Sequence, residues 1–208
     1  MNSSSILIAI VGGSGAGKTW LASHLDKLLA PRVARISQDD FYRDLSHLPM
    51  PRRTRVNFDH PRSIDWAALE RVLRDCRAGR PARLPCYDFS IHCRRADTRL
   101  LRPKPIVLVE GLWLLRQPAI RKLFARRIFI ECPSELCLAR RIRRDTTERG
   151  RTRESVVEQF HRHVAPMYDR FVAPQMRCAD LILNSPIKSA SVRSLTADLR
   201  ALATGWMG

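Results

Sequence analysis

The strongest structural signal in the chain is the stretch Gly12-Gly13-Ser14-Gly15-Ala16-Gly17-Lys18-Thr19. It directly follows the apolar run Ile6-Leu7-Ile8-Ala9-Ile10-Val11. It matches G-x-x-x-x-G-K-[ST] at every fixed position, between a buried-type strand and an apolar-periodic helix. Glycines let the backbone curl so that successive N–H groups point at phosphate oxygens. Lys18 can then reach the β- and γ-phosphates, and the Thr19 hydroxyl can bind Mg²⁺. The stretch therefore predicts a nucleoside triphosphate site.

Size, composition and cysteine usage favour one ordinary domain in the cytoplasm. The 208 residues, 45% of them hydrophobic, suit a single α/β domain over residues 1–208. The first residues lack the basic segment of a signal peptide, and no apolar stretch is long enough to span a membrane. The 6 cysteines contain no C-x-x-C pair, so we expect reduced thiols rather than disulfides or a zinc site.

The formal net charge of +17 raises the question of an acidic partner. Much of the charge comes from arginine, which suits bidentate phosphate recognition, and 9 arginines fall between Arg126 and Arg153. A phosphate-handling enzyme explains this local excess, and the remainder fits a solvated basic surface. We therefore expect a small-molecule partner rather than nucleic acid.

Five apolar runs have the composition of buried strands, and helical patterns separate them. They lie at residues 6–11, 33–37, 105–111, 127–131 and 180–184. This alternation predicts an α/β fold with a five-stranded, doubly wound parallel sheet flanked by helices. Residues 80–102 carry Pro81 and Pro85 and favour a small β-hairpin instead. Ser63 is the predicted N-cap of a helix from Ile64 to Ala78.

Acidic residues follow two of the predicted strands, where parallel α/β sheets bind ligands. Asp39 and Asp40 come directly after residues 33–37, and Glu110 ends the strand at 105–111. The aspartates could be a base or metal partner facing the γ-phosphate, or merely a turn device. An acid at the position of Glu110 can hold the hydration shell of Mg²⁺.

Two further segments admit a functional and a structural interpretation. Tyr87, Phe89 and His92 in the hairpin have the composition of a pocket that stacks a ring, although an ordinary amphipathic hairpin would look alike. Residues 140–153 combine closely spaced arginines with Gly150, as a closing lid requires. A solvated basic helix is the alternative for that segment.

Together these pieces closely resemble the uridine kinase (uridine–cytidine kinase) family, from about Ile6 to Leu183. The resemblance is carried by Gly12 to Thr19, Ser37-Gln38-Asp39-Asp40-Phe41-Tyr42, Asn57-Phe58-Asp59-His60-Pro61, Tyr87-Asp88-Phe89 with His92 and Arg94, Val109-Glu110-Gly111, and Arg140-Arg141 through Glu148-Arg149-Gly150-Arg151. It implies a P-loop NTPase fold with a hairpin at about 80–102 and an arginine-rich lid at about 140–153. It also implies ATP or GTP as donor, Mg²⁺, pyrimidine salvage in the cytoplasm and a homo-oligomer, commonly a tetramer.

The resemblance further implies a role for individual residues. Asp39 would be the general base toward the ribose 5′-hydroxyl of a small-molecule nucleoside substrate, and Asp59 would hold the 2′- and 3′-hydroxyls. The remaining residues fall into four groups: the base-enclosing Tyr87, Phe89 and His92; the nucleoside-end Arg141, Arg151 and Gln159; the catalytic Lys18, Arg144 and Arg149; and Thr19 and Glu110 near Mg²⁺.

Two departures from the family pattern bear on donor and base. Asp40 stands where the family often has serine, which places a second charge beside Asp39. Asn184-Ser185-Pro186-Ile187 replaces the turn usual near the donor base, so the choice between ATP and GTP stays open. The alternatives are a related P-loop kinase acting on nicotinamide riboside or ribulose 5-phosphate, and a non-catalytic nucleotide-binding regulator.

Overall fold

The computed structural model describes residues 4–102 and 104–205. A parallel sheet has the strand order β2-β5-β1-β6-β7, and β3 and β4 form a separate antiparallel pair. The strands are β1 (Ile6–Gly12), β2 (Val33–Ser37), β3 (Ala82–Asp88), β4 (Cys93–Leu101), β5 (Ile106–Gly111), β6 (Phe124–Glu131) and β7 (Leu181–Asn184). The predicted five-stranded parallel sheet and the hairpin are both confirmed.

Helices connect the strands. They are α1 (Lys18–Leu29), α2 (Met50–Arg53), α3 (Trp66–Arg77), α4 (Pro118–Arg121), α5 (Ser134–Glu148), α6 (Arg153–Gln159), α7 (Ala165–Met167) and α8 (Ser189–Gly205). Between α6 and β7 the chain also forms π-type turns at Phe160–Val164 and Tyr168–Val172 and a 3₁₀ segment at Ala173–Cys178. Pro166 and Pro174 lack backbone N–H donors, which is consistent with this irregular path. None of the helices in the described part of the chain has the length and apolar character to cross a membrane.

The start of α3 differs from the prediction. Its N-cap is Asp65, whose Oδ1 accepts a hydrogen bond from the Ala68 backbone N–H at 3.0 Å. Ser63 belongs instead to a preceding 3₁₀ turn and donates its hydroxyl to the carbonyl of His60 at 2.7 Å. The predicted N-cap at Ser63 is therefore wrong by two residues, because both side chains can cap and the preceding turn uses Ser63.

Strand β1 is buried on both faces, which explains its unbroken apolar sequence. Ile6, Ile8 and Ile10 pack with buried residues of α1 and α8. The alternate residues of β1, including Leu7 and Val11, pack with α3 and the hairpin on the other side of the sheet. Helices thus cover both faces, as a doubly wound sheet requires.

The strand register brings the predicted polar residues to one edge of the sheet. Ser37 of β2 pairs with Glu110 of β5, and Glu110 in turn pairs with Ile10 of β1. The glycine loop after β1 and the turn after β2 therefore meet beside the end of β5. This alignment creates the candidate site.

Arg94 of β4 fixes the hairpin beside that edge. Its Nε donates to the carbonyl of Tyr42 at 2.8 Å, and its Nη1 contacts Asp65 Oδ2 at 3.2 Å. The Arg94 backbone N–H donates to Asp44 Oδ1 at 3.1 Å. These bonds tie the hairpin to the turn after β2 and to the start of α3.

Candidate active site

The loop between β1 and α1 is pressed so closely against neighbouring backbone that only glycine fits at two positions. A Cβ on Gly12 would lie 2.6 Å from the carbonyl oxygen of Ile130, and one on Gly15 would lie 2.6 Å from that of Cys137. Gly15 and Gly17 also have φ of 87° and 105°, in the left-handed region that favours glycine. The loop therefore has the curled backbone that the motif predicts, followed at once by the N-terminus of α1.

Lys18, Thr19 and Glu110 stand together at the mouth of this loop. Lys18 Nζ donates to the Gly13 carbonyl at 2.8 Å, and Thr19 Oγ1 donates to Glu110 Oε2 at 2.7 Å. Burial lowers the pKa of Lys18, opposed by Glu110 and Asp39. Burial raises the pKa of Glu110, opposed by the Thr19 hydrogen bond and Lys18. These groups form one electrostatic cluster.

The hydroxyl of Thr19 and the carboxylate of Glu110 fit a Mg²⁺ ion bound mainly through a nucleotide. Mg²⁺ usually takes one or two protein oxygens and completes its shell with water and phosphate oxygens. In residues 4–102 and 104–205, no three His, Cys, Asp or Glu side chains converge to hold a metal by themselves. The donor set therefore suits an ion that arrives with phosphates.

Gln38 sets the turn that carries Asp39. Its buried side-chain Oε1 accepts hydrogen bonds from the backbone N–H groups of Leu112 and Trp113, at 2.8 and 3.0 Å. A Cβ on Gly111 would come within 2.5 Å of the Gln38 side chain. Ser37 Oγ also accepts from the Asp39 backbone N–H at 3.2 Å. The glycine after Glu110 thus makes room for the residue that fixes Asp39.

The two adjacent aspartates face different charges. Desolvation raises the pKa of Asp39, and the positive charges of Lys18, Arg149 and Arg144 act against that rise. Desolvation also raises the pKa of Asp40, to about 6, but its main opposing charge is Arg99 of the hairpin, 4.0 Å away. Asp39 is therefore the carboxylate that faces the lysine of the loop and the predicted lid.

The arginines at the end of α5 converge on Asp145, whose side chain is fully buried. Arg144 Nε lies 2.8 Å from Asp145 Oδ1, and Arg149 Nη1 lies 3.6 Å from the same oxygen. Arg141 and Arg151 approach Oδ2 at 3.7 and 3.4 Å. Burial raises the pKa of Asp145, but the hydrogen bond from Arg144 and the arginine charges outweigh it and lower the pKa overall. The predicted lid residues are thus one ion-pair cluster.

Arg141 links this cluster to the phosphate loop. Its Nη1 donates to the hydroxyl of Ser14 at 2.8 Å, and its Nη2 donates to Gln159 Oε1 at 3.1 Å. Arg151 donates to the same oxygen of Gln159. Gly150, between α5 and Arg151, has a left-handed φ of 61° and no atom within 4 Å of where a Cβ would lie. The segment therefore turns on a glycine as predicted.

An aromatic cluster forms where the hairpin meets the turn after β2. Tyr87 lies between Tyr42 and Phe89, with ring centroids 5.3 and 5.2 Å away. His92 stacks on Phe58 at 4.8 Å with an interplanar angle of 18° and has a left-handed φ of 54°. Such φ values are uncommon outside glycine and recur at functional positions. Phe89 is 47% exposed, so its ring is available to a ligand.

Asp59 joins the aromatic cluster to the arginines. Burial raises its pKa, whereas Arg141, His163 and Arg151 lower it. The Asp59 backbone N–H donates to Asn57 Oδ1 at 3.0 Å, which shapes the loop that carries the carboxylate. The charge of Asp39 also raises the pKa of Asp59, so the two carboxylates interact electrostatically.

Several residues of the candidate site have no role that the sequence predicts. Asp145 lies among the arginines in the sequence, but an acid there resembles an ordinary i,i+4 partner on a helix surface. Tyr42 and Phe58 lie inside quoted motifs, yet their ring contacts require distant segments to meet. Gln38 also lies inside a quoted motif, but its hydrogen bonds to Leu112 and Trp113 require β5 to lie beside β2. His163 gave no sequence signal, because only tertiary packing brings it near Asp59.

The glycine loop at the end of a buried parallel strand, with Lys18, Thr19 and an opposing carboxylate, defines an ATP-dependent phosphotransferase of the P-loop class. The chain belongs to the phosphoribulokinase / uridine kinase family, whose model matches residues 7–190. It is 40% identical over 183 residues to the uridine kinase of Chloroflexus aurantiacus, with 88% of each chain covered. It is 41% identical over 184 residues to the uridine kinase of Staphylococcus carnosus, again with 88% of each chain covered.

A solved structure with the same fold is the phosphoribulokinase from Rhodobacter spheroides. The superposition gives a TM-score of 0.64 at 19% identity and covers 88% of this chain and 71% of that chain. At this identity the likeness concerns the fold. The predicted P-loop architecture and the family resemblance are both confirmed.

Proposed function

We propose that the protein is a nucleoside kinase that transfers the γ-phosphate of ATP to the 5′-hydroxyl of uridine or cytidine and forms UMP or CMP. The observation that carries this proposal is the cleft in which Asp39 faces Lys18 and the lid arginines at one end and the aromatic cluster lies at the other. The names of the relatives, which are uridine kinases at about 40% identity, agree with this acceptor.

The donor end acts by positioning and charge. The backbone N–H groups of residues 13–17 and the N-terminus of α1 bind the phosphates, and Lys18 neutralises the β- and γ-phosphates. Thr19 and Glu110 would hold Mg²⁺, which would supply further neutralisation of the phosphate charge when it is bound. Arg144 and Arg149 cover the transferring phosphoryl group.

Asp39 orients the acceptor hydroxyl. In the reaction the ribose 5′-oxygen forms a bond to the γ-phosphorus while the bond from that phosphorus to the ADP oxygen breaks. The proton of the hydroxyl passes to the Asp39 carboxylate. Only a weak base is required, because the transition state of phosphoryl transfer is largely dissociative and positioning provides most of the rate.

The nucleoside is held by the acceptor end of the cleft. Tyr87, Phe89 and His92 enclose the pyrimidine, since aromatic rings stack favourably on the face of a base and a histidine can hydrogen-bond its edge. Asp59 accepts hydrogen bonds from the ribose 2′- and 3′-hydroxyls. Arg141, Arg151 and Gln159 complete the nucleoside end.

Several properties of the family complete the proposal. We propose one catalytic domain over residues 1–208, with the hairpin at about 80–102 and the lid at about 140–153 as its mobile parts, although residues 1–3, 103 and 206–208 lie outside the described residues. The 6 cysteines are all free thiols, which supports a place in the reducing cytoplasm. A role in pyrimidine salvage belongs to the same proposal. A homotetramer, and GTP as an alternative donor, belong to the same proposal.

The deciding experiment measures ADP release with Mg²⁺ and ATP for uridine, cytidine, nicotinamide riboside and ribulose 5-phosphate. We expect turnover with uridine or cytidine. Asp39→Asn should lower kcat by about 10²–10⁴-fold, because proton transfer by a positioned side chain contributes that much. The same variant should still bind ATP, since the loop of residues 12–19 is intact.

The remaining outcomes separate the alternatives. Turnover with nicotinamide riboside or ribulose 5-phosphate alone would exclude the pyrimidine pocket at Tyr87 and His92. Retention of full activity in Asp39→Asn would exclude its role as base. Absence of turnover with every acceptor, with GTP tried in place of ATP, would favour a nucleotide-binding regulator.

A further inference from the structure

The geometry points to a second binding site, outside the candidate active site, for a small anion with two or more phosphate charges. The site is a hollow of about 360 Å³ that contains Arg43, Arg62, Arg116 and Arg170 together with Trp66 and Phe171. We call these six residues the basic hollow. Neither the phosphate loop nor the aromatic cluster contributes to it.

Phe171 forms the floor on which two of the guanidinium groups rest. The Cζ atoms of Arg116 and Arg170 lie 5.2 and 5.1 Å from the centre of its ring. Cation–π contacts of this length hold an arginine in place while its N–H groups stay free to bind a ligand. The His60 ring packs edge-on against the same phenylalanine, at 4.9 Å.

The opposite wall is held by internal hydrogen bonds. Trp66 Nε1 donates to the Pro61 carbonyl at 2.9 Å, and Arg43 Nε donates to the Arg62 carbonyl at 3.1 Å. The Arg43 backbone N–H also donates to the Ser63 carbonyl at 2.8 Å. A wall fixed in this way costs little entropy when a ligand binds.

An acidic group that acts on the basic hollow is Asp65, which interacts electrostatically with Arg43 but forms its ion pair with Arg94. Within residues 4–102 and 104–205, no acidic side chain lines the hollow, and none of its arginines takes part in an ion pair. The lid shows the opposite arrangement, since its arginines gather around the buried Asp145. Guanidinium groups that converge without a carboxylate repel one another until an anion lies between them.

Size and chemistry identify the class of ligand. Arginine forks match the paired oxygens of phosphate, and several arginines favour a multivalent phosphate over a single carboxylate. The volume is at the lower end of the range for small-molecule sites and suits a short polyphosphate or a compact organic phosphate. A nucleic acid would instead need a basic track along an extended surface.

The position of the hollow suggests what its occupation would change. His60 lines the hollow and directly follows Asp59, the proposed ribose ligand. An anion in the hollow should therefore change KM for the nucleoside more than kcat. This consequence rests on the proposed function, whereas the binding itself does not.

Calorimetric titration with inorganic tripolyphosphate tests the site in protein that carries Lys18→Ala, which weakens binding at the phosphate loop. In that background we expect one equivalent to bind, and Arg116→Ala/Arg170→Ala should weaken this binding at least about ten-fold. The matched control is Arg177→Ala/Arg193→Ala, which removes the same charge from exposed positions elsewhere and should change affinity less than about two-fold. The measurement needs no phosphoryl transfer, so it stands or falls independently of kinase activity.

Comparison with UTP separates two sources of the anion. Equal affinity for UTP and tripolyphosphate would assign the hollow to phosphate groups alone. Tighter UTP binding that Arg116→Ala/Arg170→Ala weakens would assign the hollow to a nucleotide. If the two double variants weakened tripolyphosphate binding equally, the proposal would be overturned in favour of a diffuse basic surface. Displacement of tripolyphosphate by a single-stranded oligonucleotide, weakened by both double variants, would also overturn the proposal. So would a change in the oligomeric state of Arg116→Ala/Arg170→Ala, measured by sedimentation.

Discussion

In the proposed phosphate-binding region, residues 12–19 form one continuous segment at the tip of the buried strand β1. In the proposed acceptor region, the aromatic rings come from the turn after β2, residues 57–61 and the hairpin. The phosphate end uses backbone groups fixed by close contacts of Gly12 and Gly15 with neighbouring main chain. The acceptor end uses side chains, and Phe89 keeps much of its surface in solvent. The comparison predicts that the proposed donor site is formed locally, and that recognition of the proposed acceptor depends on how separate segments dock.

Between the two ends, the largest expected effect follows from removal of Lys18 at the phosphate end. Lys18→Ala should lower kcat with ATP and uridine by about 10²–10³-fold, because one charged donor to the transferring phosphate is lost. Steady-state kinetics measure this loss. Lys27→Ala removes an exposed lysine from the last turn of the same helix and should leave kcat unchanged. A small effect at Lys18 would mean that the loop does not bind the reacting phosphates.

Replacement of Asp145 breaks the connection between the two ends. Asp145→Asn removes the charge that gathers Arg141, Arg144 and Arg149, and loss of one partner of a buried pair costs about 3 kcal/mol of folding free energy. We expect kcat to fall by at least about ten-fold as the arginines lose their common anchor. Urea unfolding and kinetics measure the two effects separately.

The outcome for Asp145 distinguishes a positioning role from a purely structural one. Asp145→Glu keeps the charge and should recover part of kcat even if the folding free energy stays low. A variant of normal kcat and reduced stability would show that the cluster serves folding alone.

At the acceptor end, Phe89→Ala should raise KM for uridine by about ten-fold, because stacking on one aromatic side chain contributes about 1–3 kcal/mol. The KM for ATP should not change, since Phe89 lies in the hairpin and not in the phosphate loop. Ile91→Ala is the matched control, because both side chains are 47% exposed in the same hairpin turn. Equal effects of the two variants on uridine would argue against ring stacking at Phe89.

The smallest effect concerns Asp40, the neighbour of the proposed base. Its pKa in the folded protein is about 6, against an ordinary value of 3.8, because burial disfavours the charge. Between these values the folded state holds a proton that the unfolded state has lost, so stability falls as pH rises through this window and stays low above it. Asp40→Asn should therefore stabilise the protein above pH 6, by about 1 kcal/mol, and by less as pH falls toward 4.

Urea unfolding at several pH values measures the effect of Asp40→Asn. The gain in unfolding free energy should be smaller than the full pKa shift of Asp40 corresponds to, since its side chain is 30% exposed. Asp97→Asn, which makes the same substitution in an exposed pair with Arg95, is the matched control. Turnover of Asp40→Asn should stay within a few-fold of the wild type, whereas a loss as large as that of Asp39→Asn would make Asp40 the base instead.

Most of the architecture could be predicted from the sequence because its signals are local. The central strand β1 and the first four residues of β5 are continuous apolar runs, and the hairpin carries its own prolines and alternation. The start of α3 was missed by two residues, since Ser63 and Asp65 can both cap a helix and only the preceding 3₁₀ turn chooses between them. The π-type turns after α6 were missed as well, because their side chains follow the same apolar period as an α-helix.

The candidate site likewise has one part that the sequence predicts and another that depends on tertiary contacts. Residues 12–19 by themselves determine a phosphate-binding loop, because that chemistry uses backbone groups and neighbouring side chains within a single turn. Only the tertiary structure decided that Asp39 rather than Asp40 faces Lys18, and that Asp145 gathers the lid arginines. Contacts between distant segments also bring Phe58 onto His92 and gather the arginines of the basic hollow where no acidic side chain lines it. The physical reason is that charge and ring contacts depend on distances across the fold, which residue types and spacing along one chain do not specify.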